Sequence, residues 1–437
     1  MTAPPKSLRD RVIVDGSVGL AIALPLAAVF AYHAYAPILF IMAALSGTRG
    51  RHWKDGAKAI RPPIDWKNPY TVGTLAILAF CLWLALSSLW SPIPKAALLY
   101  FSVSGLVLAA SLVVAEILSR SARDIRFLAA TFLAGSLFAL GLLFFEARSG
   151  GYLRHIVPPQ DLSPDRFDDI TQLGRGLTAF LPGLFPALAI LLIYGLRATG
   201  ARRWLVYAAI AIVVLVVFAT AVDLTIAANS AAVLAGAGAA IAALFSPRRA
   251  LQALIVLFLA ALIFAPALAL LPVEQIAASY GEVLPVSWLQ RLFIWRHAAL
   301  LAIDCLPIGC GIDYARAVFA EGATIDLPRS PIPLLLMPIH PHNGFLQIWL
   351  ELGVPGVLFF AAFIVSGGVM LLRARLARPV AAGVVGAGAV ILMLAFVDMG
   401  IWREWRLASI GVAAAGAALA HRLWVDGAGS TLQERRS

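Results

Sequence analysis

Charged side chains are scarce in this chain: Asp, Glu, Lys and Arg make up 13% of its 437 residues, against roughly 25% in soluble domains. With 61% hydrophobic residues, a water-soluble fold has too little polar surface to cover its core. A regular alternation of apolar and polar residues is also lacking, which argues against a transmembrane barrel. Three cysteines, Cys81, Cys305 and Cys310, are too few for a disulfide scaffold or a Cys-rich metal site. The spacing of Cys305 and Cys310 leaves a disulfide and a pair of free thiols both open. The net charge is +11, yet the basic residues fall in short clusters between apolar runs and form no single stripe, so they signal membrane topology and not a nucleic-acid partner.

What the chain does have is long apolar runs. A helix needs about 20 apolar residues to cross the hydrocarbon and satisfies its own backbone there, so the pattern predicts an all-α polytopic membrane protein. Counting runs gives about 12 transmembrane helices, at 14–31, 34–47, 70–90, 96–118, 127–146, 176–196, 204–221, 225–245, 250–271, 355–372, 379–397 and 405–424. Lys6, Arg9 and Arg11 precede the first run, which is read as an uncleaved span because a second follows at once. With both termini cytoplasmic, 23 of the 34 Lys and Arg fall inside, including Arg49–Lys67, the Arg120–Arg126 group, Arg197–Arg203, Arg248–Arg249 and Arg373–Arg378. That is the positive-inside asymmetry. The reading is one membrane-embedded domain, 1–437, with two long outer segments: 147–175, and a large loop at 272–342 inserted between the ninth and tenth spans. SWLQRLFIWRHAALLAI in that loop reads as a helix along the membrane surface, with Trp288 and Trp295 near the interface. Small-residue stretches at 227–244 and 381–390 allow close helix packing.

Residues 340–356, HPHNGFLQIWLELGVPG, stand where polar sequence meets an apolar run of about 30 residues. Gly353, Pro355 and Gly356 should break that run, since proline lacks a donor and clashes with the turn before it. A short outer helix from about 343 to 352 is therefore expected, capped by Asn343. Asn343, Gln347 and Glu351 are four apart and share a face. His342 then sits at a helix N-terminus, which favours anions, and its imidazole can take a proton near neutral pH. His340 is its neighbour in an HxH pair with no carboxylate or thiol cluster nearby in sequence, which argues against a metal site. GRGLTAF (174–180) places Arg175 between glycines, where a guanidinium and helix amides together suit a phosphate; the alternative is an arginine answering the acidic stretch 165–169. Arg291 and Arg296 lie about 140° apart around a helix, so they do not easily face one ligand, and Arg291 is preferred. Asp398, Arg403, Glu404 and Arg406 read mainly as interfacial charges.

These residues resemble the O-antigen ligase family. Its signature, a His-Asn pair, nine residues, then Gly-x-Pro, is met by His342, Asn343, Gly353, Val354 and Pro355. The preceding block resembles the family's Arg-x-x-x-Trp and Pro-x-Gly-x-Gly elements, met by Arg291, Trp295, Pro307, Gly309 and Gly311. The resemblance implies a metal-independent, inverting glycosyltransferase of the bacterial inner membrane with no cofactor. Its donor would be a glycan on undecaprenyl pyrophosphate and its acceptor the lipid A core, in lipopolysaccharide biosynthesis, with the active site facing the periplasm. His342 would be the base, Arg291 and Arg175 would hold the diphosphate, and His340, Asn343, Arg296 and Gln347 would support them. Relatives often carry a Ser-Arg pair near the eighth span, where this chain has Asn229, Ser230 and Ala231, so Arg175 is the substitute. A polysaccharide polymerase joining lipid-linked repeats is the alternative on the same residues. A transporter is less favoured, because most charges sit at span ends.

Overall fold

The computed structural model describes residues 23–47, 68–93, 95–156, 167–224, 227–398 and 400–434. Lys6, Arg9, Arg11, the start of the 14–31 run and the Arg49–Lys67 loop lie outside them. Among the described residues the chain is almost entirely helical. The only strands are two residues each, Thr324–Ile325 and Leu334–Leu335, paired antiparallel.

After a helical stretch at 23–30 come α1 (Tyr35–Gly47), α2 (Pro69–Ser87), α3 (Ala96–Ser119), α4 (Ala122–Ser149), α5 (Phe167–Arg197), α6 (Ala201–Asp223), α7 (Ala227–Phe245) and α8 (Pro247–Ile263). The chain then runs through short elements to α9 (Val286–Asp304), α10 (Gly344–Arg373), α11 (Arg378–Val397) and α12 (Glu404–Glu434). Nine of the described helices are long and apolar enough to cross a membrane: α2 to α7 and α10 to α12. The protein is an all-α polytopic membrane protein, as its apolar runs predict.

Two of the twelve runs differ from expectation. The 34–47 run forms only the 13-residue α1, about 20 Å at 1.5 Å per residue and short of the hydrocarbon thickness. The 250–271 run is cut where α8 ends at Ile263, because Pro266 follows in a tighter 3-10 turn, Ala265–Leu270.

The central helix is α5, most of whose apolar length is buried. Its Phe185 lies where α7 and α11 come close: a Cβ at Gly236 would stand 2.4 Å from the Phe185 ring, and one at Gly386 2.5 Å from it. The small-residue stretches therefore make room for one aromatic ring from the core helix. The tight turns at one end of the bundle, Ser119–Ala122, Arg197–Ala201, Phe245–Pro247 and Arg373–Arg378, all carry or adjoin arginine.

α9 does not lie free along a surface. Leu289, Ile294, Trp295, Ala298, Ala299 and Ala302 are buried, and the Trp295 ring packs on Phe396 at 5.6 Å between centroids. Trp295 is thus a core residue and not an interfacial one. One face of α9 is apolar enough to pack into the bundle, and an interfacial position would leave that face less well covered.

Candidate active site

The site begins at the break in α10. Gly353 has φ 59 and ψ −156, a conformation open essentially to glycine alone, and Pro355 has no amide hydrogen to give to the Glu351 carbonyl. The vacated bonds are taken up by the Cys305–Gly311 turn. Val354 N donates to Pro307 O at 2.8 Å, Cys310 N to Leu350 O at 2.8 Å and Gly311 N to Glu351 O at 3.0 Å. The approach is close enough that a Cβ on Gly353 would lie 2.3 Å from Pro307 O, and one on Gly309 would lie 2.6 Å from Gly353 N. The Pro-x-Gly-x-Gly and Gly-x-Pro elements are therefore two halves of one joint. Cys305 and Cys310 are disulfide-bonded across the turn, which closes the question their spacing left open.

The half-helix before the break has the expected cap: Asn343 Oδ1 accepts from Leu346 N at 3.0 Å. Its polar face is buried, however. Asn343, Gln347 and Glu351 are all at most 2% exposed. Gln347 Nε2 donates to Glu351 Oε1 at 2.9 Å, and Ile401 N donates to Gln347 Oε1 at 2.9 Å. Trp402 Nε1 and Asp313 N both donate to Glu351 Oε2. A buried carboxyl is tolerated where its lone pairs are met in this way. Asn343 Nδ2 has no partner among the described residues, and an unpaired buried donor beside His342 is one that a substrate oxygen would satisfy.

His342 stands just before the cap in the left-handed region, φ 51. Its Nδ1 is hydrogen-bonded to the Asp398 carbonyl oxygen. A carbonyl only accepts, so Nδ1 carries the hydrogen, and Nε2 of the neutral ring is left with a free lone pair. The His342 amide donates to His340 Nδ1 at 3.3 Å, with the two rings 4.5 Å apart. Burial is the main influence on both imidazoles, holding His342 below the ordinary histidine range and His340 well below it. Both are therefore neutral at pH 7.

The end of α11 anchors these groups. Its last carbonyls lack helical donors: Val397 O accepts from Arg291 Nε at 2.8 Å, while Asp398 O takes His342. Arg291 also donates to Ser287 O at 2.8 Å and stacks over Trp288, and its charge reaches His342. Arg406 pairs with the Asp398 carboxylate at 2.8 Å, with side chains 11% and 14% exposed. Arg403, just before α12, Arg406 of α12 and Arg175 of α5 all act on His340. Arg406 is thus a buried site residue and no interfacial charge. Its signal in the sequence is weak, because Asp398 lies across the α11–α12 connection and only the fold pairs the two.

The structure brings together His342, His340, Asn343, Arg291 and Arg175, with Gln347 behind them. It holds Arg296 apart, ion-paired with Glu274 of the short helix Val273–Tyr280. Arg175 differs from its expected place. α5 begins by Phe167, so Arg175 lies two turns inside the helix, where backbone amides are already bonded, and what it offers is its guanidinium. That group is exposed and touches Tyr32 Oη at 3.2 Å. Asn229 secures the turn before Arg175: its Nδ2 donates to Gly174 O at 2.9 Å and its Oδ1 accepts from Thr178 at 2.8 Å. Among the described residues no three His, Cys, Asp or Glu side chains are grouped to hold a metal ion.

Residues 187–361 match the family described as O-antigen ligase, a stretch that contains His342, Arg291 and both halves of the joint. Two curated proteins named "Putative polysaccharide ligase", from Rickettsia conorii and Rickettsia prowazekii, are each 36% identical over 75 residues, 17% of this chain. The chain spans only 18% of the length of these relatives in that match. The broken helix, its glycine joint and the histidine they present thus lie within the stretch, residues 187–361, that is similar to the O-antigen ligase family.

Proposed function

We propose that this chain is an O-antigen ligase. It takes a glycan from undecaprenyl pyrophosphate and joins it to a sugar hydroxyl of the lipid A core, at the periplasmic face of the bacterial inner membrane. The observation that carries this reading is the His342 Nδ1 bond to the Asp398 carbonyl, which leaves Nε2 as the acceptor, with Arg175, Arg291, Arg403 and Arg406 gathered around the His340–His342 pair.

In this reading His342 Nε2 accepts the proton of the acceptor hydroxyl as that oxygen attacks the anomeric carbon. The bond from that carbon to the diphosphate oxygen breaks, and the diphosphate leaves with both electrons. A single displacement of this kind inverts the anomeric centre. Lipid diphosphate is a good leaving group, so the enzyme mainly has to stabilise its negative charge and align one hydroxyl. Guanidinium groups supply that stabilisation in place of a divalent metal: Arg175 and Arg403 make few bonds to the protein, and Arg291 retains donors beyond the two it uses. A positioned base adds about 10² to 10⁴ in rate. The 272–342 loop, which supplies α9 and the turn, is the insertion that builds the site on one face.

The test is purified protein with a lipid-linked glycan and, in separate reactions, lipid A core or a second lipid-linked glycan, with chelator present. Growth of the lipid A core product is expected. Lengthening of lipid-linked glycan alone would make the protein a polymerase, and no transfer until a divalent metal is restored would overturn the arginine assignment.

A further inference from the structure

A second polar site lies at the other end of the bundle. Arg197 is 22 positions beyond Arg175 on α5, roughly 33 Å at 1.5 Å per residue, and Asp426 stands 20 beyond Arg406 on α12, roughly 30 Å. That is about the thickness of the hydrocarbon layer. Here the start of α4 and the far ends of α5 and α12 enclose a cavity of about 420 Å³.

Its lining is of two kinds. Ile125, Leu196 and Leu423 form an apolar wall, while Arg126, Arg197 and Asp426 form a polar one. Arg197 is held in place by its own bonds to the Leu423 and Trp424 carbonyls, at 2.7 and 3.4 Å. Asp426 is engaged by Arg422, at 3.2 Å. Arg126 is different: its guanidinium makes no hydrogen bond or ion pair with any described residue, although its backbone carbonyl accepts from Tyr194. The one carboxylate is therefore neutralised from outside the cavity, and the two lining guanidinium groups leave it positive.

We propose that this cavity binds the headgroup of an anionic phospholipid from the leaflet opposite the His342 site. A phosphodiester suits Arg126 and Arg197, the apolar wall suits the glycerol and first methylenes, and the position is at the depth of a headgroup. Basic pockets between spans on the cytoplasmic side are sites of this chemistry. The inference does not depend on the reaction assigned to His342.

The test is native mass spectrometry of the full chain in detergent with phosphatidylglycerol or phosphatidylcholine of matched acyl chains. Retention of phosphatidylglycerol over phosphatidylcholine is expected. Arg126→Gln should weaken phosphatidylglycerol binding about fivefold, the equivalent of ~1 kcal/mol. Arg203→Gln, at the same end but with its guanidinium on Tyr207, should leave binding unchanged. Equal retention of the two lipids would overturn the proposal, as would parental affinity in Arg126→Gln or an equal loss in Arg203→Gln. Displacement of the lipid by equimolar inorganic phosphate would show an ion site and no lipid site.

Discussion

Arg406→Gln tests how far the buried Arg406–Asp398 pair bears on the protonation of His342. In the native protein burial holds His342 below the usual histidine range. The Arg406 charge also opposes protonation, and the Asp398 carboxylate favours it. Arg406 sits 2.8 Å from that carboxylate, so the two charges largely cancel at the imidazole. Removing the guanidinium leaves Asp398 unopposed, and both changes push His342 the same way, toward the protonated form. For one unit charge at a separation of roughly 5 to 10 Å and an effective dielectric of about 20, Coulomb's law gives about 2 to 3 kcal/mol, on the order of one to two pH units. The acid limb of kcat/KM, which reports groups of the free enzyme, should lie below pH 6.5 in the parent. In Arg406→Gln it should move up by that amount, so that activity at pH 6 falls much more than activity at pH 8. Arg406→Lys keeps the charge and should restore the limb, which separates an electrostatic effect from a loss of fold. A limb that stays in place in Arg406→Gln, or that moves to lower pH, would refute the assignment of His342 as the base.

Other perturbations probe the scaffold. Gly353→Ala forces a Cβ to within 2.3 Å of Pro307 O at positive φ, and should cost more than ~2 kcal/mol, seen as a lower melting temperature in detergent; a parental melt would contradict the joint. Cys305→Ser with Cys310→Ser removes a short closed loop worth about 2 kcal/mol by chain entropy, so the parent should melt lower in reductant and the double variant should be indifferent to it. Asn229→Ala removes one of the two side-chain donors to the Gly174 carbonyl, the other being Thr178 Oγ1, at a cost of about 1 kcal/mol, and should weaken lipid diphosphate binding through Arg175; unchanged stability and binding would show that Asn229 does not position that turn.

Much of the architecture was legible in the chain because apolar length and backbone chemistry act locally. The break at Gly353, the Asn343 cap and most of the spans follow from residues within a turn or two of the feature. What escaped reading depends on distant partners. The spacing puts Glu351 on one face with Asn343 and Gln347 but does not show what meets it, and Asp313, Gln347 and Trp402 reach its oxygens from three different parts of the chain. Arg406 looked interfacial because its carboxylate lies on the preceding connection. Arg175 reads as a helix start because it falls just before the 176–196 apolar run, whereas α5 runs on through it from Phe167. Trp295 was misplaced because the amphipathic pattern of α9 does not say whether its apolar face meets lipid or protein.

In this reading His342 and the arginines around it hold one lipid-carried diphosphate. A structure with a lipid diphosphate glycan bound tests it most directly. The phosphates should lie within hydrogen-bond reach of Arg175 and Arg291, with His342 Nε2 facing the first sugar. A diphosphate bound away from both arginines, or His342 turned from the sugar with its Nε2 bonded to protein, would contradict it.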